Sequence, residues 1–329
     1  MASVTLRVVS WIAFSQHKDD PRNHTKLHSK NLWILDLRIH TDEERMNWLD
    51  EGALYSSIGL FLREDLGRGD ITTQSVLTRN ARARGRFVAG EKMVVAGLEA
   101  AEEVFVTLDP QQQLEAFSSD GEEVDSGKVI ARTSGFADVL LAGERVALNL
   151  LQHLSGVATI TRQYVRAVEG TKAKIADTRK MTPGLRMLEK YAVLLGGGVN
   201  HRCGLDDGVC VKSNHAAIAG GVKAAVKHAR ERIGHVHKIE VEVARQSEIS
   251  EAIESGANGL VIHSMSPVEA AGLIGHARGL SPEITIAVSG RLTVENVRAY
   301  AEAGADLIRV AALTQSVRAR DISFQIQPG

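Results

Sequence analysis

The chain has 329 residues with 39 Lys plus Arg against 40 Asp plus Glu, a net charge of -1, which excludes a global basic field for nucleic acid or a membrane surface. Hydrophobic residues make up 44% and charged residues 24%, the balance of a folded globular protein with material for about two domains at roughly 150 residues each. The two cysteines, Cys203 and Cys210, are too few for a disulfide-stapled secreted scaffold, so a reducing cytoplasm is the expected setting; no apolar run approaches the roughly 18 residues of a membrane span.

Residues 1–44 read differently from the rest. They carry Trp11, Trp33 and the polar, His-rich stretch Ser15–Lys30. The apolar segment VTLRVVSWIAF has no basic region before it and no small-residue cleavage site, so a signal peptide is not the expectation. A poorly ordered extension, or an upstream start preceding a natural Met46, is. From Asp42 the apolar spacing of DEERMNWLDEGALYSSIGLFLREDL predicts a helix, ended by the glycines of GRGDITT. Strand alternation follows in ARGRFVAGEKMVVAG, then in a hairpin-like stretch, QLEAFSSDGEEVDSGKVIARTSG, turning at Gly121 and Gly127. The run from Ala137 to Gly170 is helical, with one short break expected at Ser155-Gly156. Residues 45–155 are thus expected to form a small α/β domain with a mostly antiparallel sheet, joined by the C-terminal segment 315–329.

After that the rhythm changes. Short β-rich runs at KIADT, GVCVK, KIEVEV, GLVIH, ITIAVSG and LIRVAAL are, after the second, separated by helical segments at a spacing that fits βα units. Residues 156–314 therefore predict a parallel β/α barrel, incomplete because six strands are present rather than eight.

Sites in such barrels form at the carboxyl ends of the strands. Those positions hold Asp177, Thr178, Arg179 and Lys180 after the first strand, and His201 and Arg202 in the loop before the second. Lys212 ends the second strand, Glu240 and Glu242 alternate with valines in the third, and His263 ends the fourth. Ser289, Gly290 and Arg291 follow the fifth, and Ala311 the sixth. Singly, each charge could simply meet solvent. Together, Arg179, Lys180, His201, Arg202 and Lys212 suit a substrate with several negative charges, since Arg offers a planar fork for carboxylate or phosphate and Lys a compact charge. Glu242 would then be the hard-oxygen ligand of a Mg²⁺ that bridges phosphates, or else a buried glutamate paired with a lysine.

On EDLGRGDIT, AGERVALNLLQHLSGVAT, DTRKMTPGLR, GGGVNHRCGL, VKSNH and LTQSVRARDISFQI, residues 45 to 325 resemble the quinolinate phosphoribosyltransferase family. That resemblance implies an α/β fold: an N-terminal open-faced α/β sandwich domain plus an incomplete, about six-stranded β/α barrel, in a homodimer with shared active sites. It implies transfer from phosphoribosyl pyrophosphate to quinolinate with decarboxylation, and Mg²⁺ as cofactor. By motif, Lys180, Lys212 and Glu242 take the catalytic positions. Arg145 (supplied by the partner subunit), Arg179, His201, Arg202, Ser289, Gly290, Arg291, Ala311 and Gln315 take the substrate-binding ones. Glu242 and His263 fall at the metal positions.

The chain departs from the family at one end of this set. Ile262-His263-Ser264 stands for LDN, removing a metal carboxylate; Ala287-Val288-Ser289-Gly290-Arg291 stands for EASGG; Ala311 to Ser316 stands for GALTHS, so Gln315 replaces a histidine. Arg291 and Arg309 could pair with the ribose phosphate or fill its space. Three readings stay open on the sequence: an active transferase with a weakened or rearranged metal site, a homologue that binds an aromatic dicarboxylate or phosphate without turnover, or an enzyme of the same fold with another acceptor, against which the intact DTRK and NHR set counts.

Overall fold

The computed structural model describes residues 51–329; the segment 1–44, expected as a poorly ordered extension, lies outside the described residues. Helix α1 (Glu51–Leu66) and the short α2 (Ile71–Val76) precede strand β1 (Arg82–Ala89). In β1, Ala83, Gly85, Phe87 and Ala89 turn inward while Arg82, Arg84 and Arg86 are exposed, the period-two pattern of a sheet with one buried face. Four strands build that sheet in the order β12-β1-β5-β3, with β3 Leu114–Ala116, β5 Val129–Phe136 and β12 Ile322–Pro328. The last strand of the chain lies antiparallel to β1, from Ala83 opposite Pro328 to Ala89 opposite Ile322. Gly85 is needed there, because a Cβ would stand 2.1 Å from the Phe324 ring. Phe324 in turn packs 4.5 Å, centroid to centroid, from Phe87, and Phe105 of α3 (Leu98–Leu108) completes the cluster.

Two local expectations are corrected. Stretch 113–135 is no simple hairpin: β3 pairs with β5, but β4 (Glu123–Val124) between them pairs with β2 (Met93–Val94). The intervening loop is drawn to that strand because the Asp120 carboxylate accepts from Gly97 N and Leu98 N and Gly121 N donates to Val95 O. Nor does the long helix break. α4 runs unbroken from Ala137 to Ala167. Ser155 and Thr159 face inward and accept from Ala96 N and Val94 N. Gly156 lets the chain before β12 cross closely, since a Cβ would meet the Arg318 carbonyl oxygen at 2.4 Å.

The six parallel strands are β6 (Lys174–Ala176), β7 (Val209–Val211), β8 (Ile239–Val243), β9 (Gly259–His263), β10 (Thr285–Ser289) and β11 (Leu307–Arg309), in the order β6-β11-β10-β9-β8-β7. Their apolar runs are buried, as in Leu260, Val261 and Ile262, which is what a parallel sheet covered on both faces requires. Each strand pairs with its sequence neighbour except β6, which pairs with β11 instead of β7. The seam of the incomplete barrel therefore lies between β6 and β7. Val199 bridges its edge: it pairs with Ala176, and its N–H donates to Ile175 O. Between β7 and β8 lie two helices, α6 (Ser213–Ala219) and α7 (Val222–Arg232), separated by Gly220 and Gly221 at φ 90° and 124°.

Candidate active site

Strand β6 ends at Ala176, which delivers Asp177 to the carboxyl edge of the sheet beside the seam. Helix α5 (Arg186–Leu195) brings Lys190 to meet it. Both side chains are fully buried. Lys190 Nζ donates to Asp177 Oδ1 and Oδ2 at 2.8 and 2.9 Å, and to the His201 carbonyl at 2.9 Å. His201 N donates back to Asp177 Oδ1 at 2.7 Å. The backbone of His201 is thus gripped on both sides by one ion pair. Burial raises the Asp177 carboxyl to about 6, against the opposing pull of Lys190.

The His201 ring is held separately. Its Nε2 lies 3.0 Å from Glu240 Oε2, while Arg309 donates through Nη2 to Glu240 Oε1. Burial would raise the Glu240 carboxyl, but His201 and Arg309 overcome it and hold the group at about 2. Burial lowers the His201 pKa, and Arg309 and Lys190 add to that. His201, expected as a member of the cationic cluster, is therefore a neutral donor to an ionised glutamate near pH 7. A second correction concerns Arg309. Its guanidinium neither stands free for a phosphate nor merely fills space; it is buried against Glu240, and its Nε has no partner.

The remaining cations divide. Arg202 Nη1 donates to the Gly208 carbonyl at 2.7 Å, and its buried Nε lacks an acceptor. Arg179 and Lys180 follow Asp177 and Thr178, Lys212 follows β7, and none of these three forms an ion pair with a described residue. The Lys180 carbonyl accepts from Thr314 Oγ1 at 2.8 Å, which ties the loop after β6 to the short helix Ala312–Gln315. Ala311 begins that turn, and Gln315 is exposed at its end.

Glu242 and His263 line one cavity of about 390 Å³, with Ser213, Gly221 and Arg245 on its wall. Beside it the chain turns sharply: Ser264 has φ 55°, its N–H donates to the Ser289 carbonyl, and a Cβ on Gly290 would lie 3.1 Å from Ser264 Cα. Only glycine passes there without displacing Ser264. Arg291 follows, exposed. No group of three or more His, Cys, Asp or Glu among the described residues is arranged to hold a metal. The other carboxylates of the cavity are engaged, Glu248 by Arg245 and the Ala244 amide and Glu251 by the Lys223 amide. Glu242 alone fits a Mg²⁺ that brings its remaining oxygen ligands with it. Arg145 lies apart on the exposed side of α4, 3.8 Å from Glu144.

Sequence reasoning passed over Lys190 and the pairing of Arg309 with Glu240. The available signal was a lysine inside LEKYAVLL, where an apolar helix face leaves a charge no solvent. Glu189 beside it is also fully buried, accepting from Thr182 N and lying 2.8 Å from His153 Nε2.

An antiparallel sheet domain completed by the last strand, and a six-stranded parallel barrel with a seam between β6 and β7, define a two-sheet α/β barrel protein. Residues 70–155 match the family described as "Quinolinate phosphoribosyl transferase, N-terminal domain", and residues 157–325 its C-terminal domain. The chain belongs to the quinolinate phosphoribosyl transferase family. It is 42% identical over 267 residues, 81% of this chain and 91% of the relative, to a probable nicotinate-nucleotide pyrophosphorylase [carboxylating] from Bacillus subtilis. A similarly named protein from Synechocystis is 42% identical over 266 residues, 81% of this chain and 90% of that one. The crystal structure of NadC from Streptococcus pyogenes superposes with a TM-score of 0.81 at 33% identity, covering 85% of this chain and 99% of that one.

Proposed function

We propose that this protein transfers the phosphoribosyl group of phosphoribosyl pyrophosphate to quinolinate with loss of CO₂, forming nicotinate mononucleotide and pyrophosphate. The observation that carries the reading is the set of cations Arg179, Lys180 and Lys212, which form no ion pair with a described residue and follow the carboxyl ends of β6 and β7, with Arg202 in the loop before β7. Quinolinate brings two ring carboxylates, and the forks of Arg179 and Arg202 match them. Lys180 and Lys212 supply compact charge for the pyrophosphate. Ser289, Gly290, Arg291, Ala311 and Gln315 border the place of the ribose phosphate, where a glycine and a left-handed turn let backbone N–H groups approach.

With the acceptor so placed, the ring nitrogen attacks the ribose carbon as its bond to pyrophosphate breaks, through an oxocarbenium-like transition state. Positioning and fixed charge do the work; no covalent nucleophile is needed. Alkylation makes the ring a pyridinium. The bond to the adjacent carboxylate then breaks, its electron pair remains on the ring carbon next to the cationic nitrogen, CO₂ leaves, and a solvent proton takes its place. A Mg²⁺ carried on the pyrophosphate, with Glu242 as its protein ligand and His263 beside it, would neutralise charge on the leaving group.

Arg145, exposed and remote in sequence from the barrel loops, is suited to reach the site of a second subunit in a homodimer. No helix among the described residues is long and apolar enough to cross a membrane. The test is incubation with quinolinate, phosphoribosyl pyrophosphate and Mg²⁺ while following CO₂ and nicotinate mononucleotide. Product should form, and Arg179→Ala should raise the KM for quinolinate. Tight quinolinate binding without product would refute the transferase reading.

A further inference from the structure

Arg309 is in register with Ala176 of β6 on one side and Ser289 of β10 on the other. Its partner Glu240 lies in β8, three strands away in the sheet order. Along a flat sheet that is about 14 Å, at roughly 4.8 Å per strand spacing, too far for the two side chains to pair comfortably. The contact therefore spans the interior of the curled sheet as a chord. It is also buried, with the Arg309 side chain 6% exposed and that of Glu240 21% exposed.

Glu240 spends one oxygen on Arg309 and the other on His201 Nε2. An ionised carboxylate only accepts, so Nε2 carries the ring proton and Nδ1 is the remaining edge of the neutral ring. The charged groups around the ring are Glu240 from β8, Arg309 from β11 and Lys190 from α5. Asp177 and Lys190 fix the backbone of His201 but leave its ring to Glu240, and without Arg309 one oxygen of Glu240 is free to swing.

We propose that Arg309 is a positioning residue: by anchoring Glu240 across the barrel it holds the His201 ring in one orientation and one tautomer, with Nδ1 as the edge offered to the acceptor substrate. This rests on the phosphoribosyl-transfer reading for the substrate, though the ring lock itself exists without one. A merely structural Arg309 would neutralise the buried charge of Glu240 and nothing more.

The two roles separate in the double variant Arg309→Met/Glu240→Gln, which buries neither charge and keeps an amide oxygen that can accept from His201. Long-range ¹H–¹⁵N spectra of the ¹⁵N-histidine-labelled full chain, with the His201 signals assigned by His201→Gln, read the tautomer directly. The native protein should show a single Nε2–H form. Arg309→Met and the double variant should show mixed tautomers or exchange broadening, and Arg309→Lys should restore the native pattern. In steady state, Arg309→Met and the double variant should raise the KM for quinolinate about tenfold, the scale of one misplaced hydrogen bond, with kcat changed by less than about threefold. A double variant with native tautomer and native KM overturns the proposal, and it carries the test if Arg309→Met alone does not fold. A native protein that shows the lock but neither binds nor turns over quinolinate would overturn the substrate reading and leave the lock standing.

Discussion

Replacing Lys190 with methionine removes one half of a pair that has no access to solvent. At 2.8 Å and an effective dielectric of about 20, the attraction between the two charges is about 6 kcal/mol. Much of that offsets the cost of taking both from water, so the measurable loss is the cost of leaving Asp177 alone, about 3–5 kcal/mol. Against a total stability of about 5–15 kcal/mol this is large. Its pH dependence identifies the cause. Burial holds the folded-state Asp177 carboxyl at about 6, above the ordinary 3.8, so its contribution is most favourable below the unfolded value and is lost as pH rises through the folded one. Without Lys190 the folded value moves higher still. At about pH 8 the variant must bury a lone carboxylate or take up a proton, whereas at about pH 5.5 the proton comes easily. Urea denaturation of Lys190→Met and native protein should show the full deficit at about pH 8 and half of it or less at about pH 5.5. Asp177→Asn/Lys190→Met should recover most of it. A deficit that is the same at both pH values, or larger at the lower, would refute the reasoning.

Gly156→Ala places a methyl 2.4 Å from the Arg318 carbonyl and should cost about 1–3 kcal/mol by overpacking, despite alanine's better helix propensity; a raised Tm would contradict that geometry. His263→Asp should lower the Mg²⁺ concentration for half-maximal activity by adding a hard oxygen beside Glu242, and unchanged Mg²⁺ dependence would remove the metal from this cavity. Arg145→Ala should weaken quinolinate binding with little change in Tm, and mixing it with Lys212→Ala should restore activity in mixed dimers, because one of the two shared sites then carries neither change.

The six barrel strands were legible because each is a short β-rich run between loop or helical segments, most fully apolar in β9 and β10, where Leu260, Val261, Ile262, Ile286, Ala287 and Val288 are buried. DTRK and NHR stood out as candidate chemistry because cations gathered after a strand end and in one loop suit an anionic substrate. Lys190 was not legible. Its neighbours at helical spacing look like any amphipathic face, and only Asp177, delivered from another element, makes a charge tolerable there. Burial also hid the true state of His201, which counts as a cation on paper and becomes a neutral donor once Glu240 and Arg309 enclose it. Ser155-Gly156 read as a break because glycine disfavours helix by about 1 kcal/mol. The crossing chain at Arg318, some 160 residues later, decides otherwise.

The pairing of β12 with β1 has a consequence for synthesis. Until Ile322–Pro328 is made, β1 is an edge strand with Phe87 on one face and no partner along its outer side, the kind of edge that recruits other chains. About 240 residues separate the end of β1 from the end of β12, so at roughly 5–20 residues per second that edge stays open for about 12–50 seconds on the ribosome. The alternating arginines Arg82, Arg84 and Arg86 put three like charges along it during that interval, and neighbouring nascent chains carrying the same edge repel one another until each closes its own sheet.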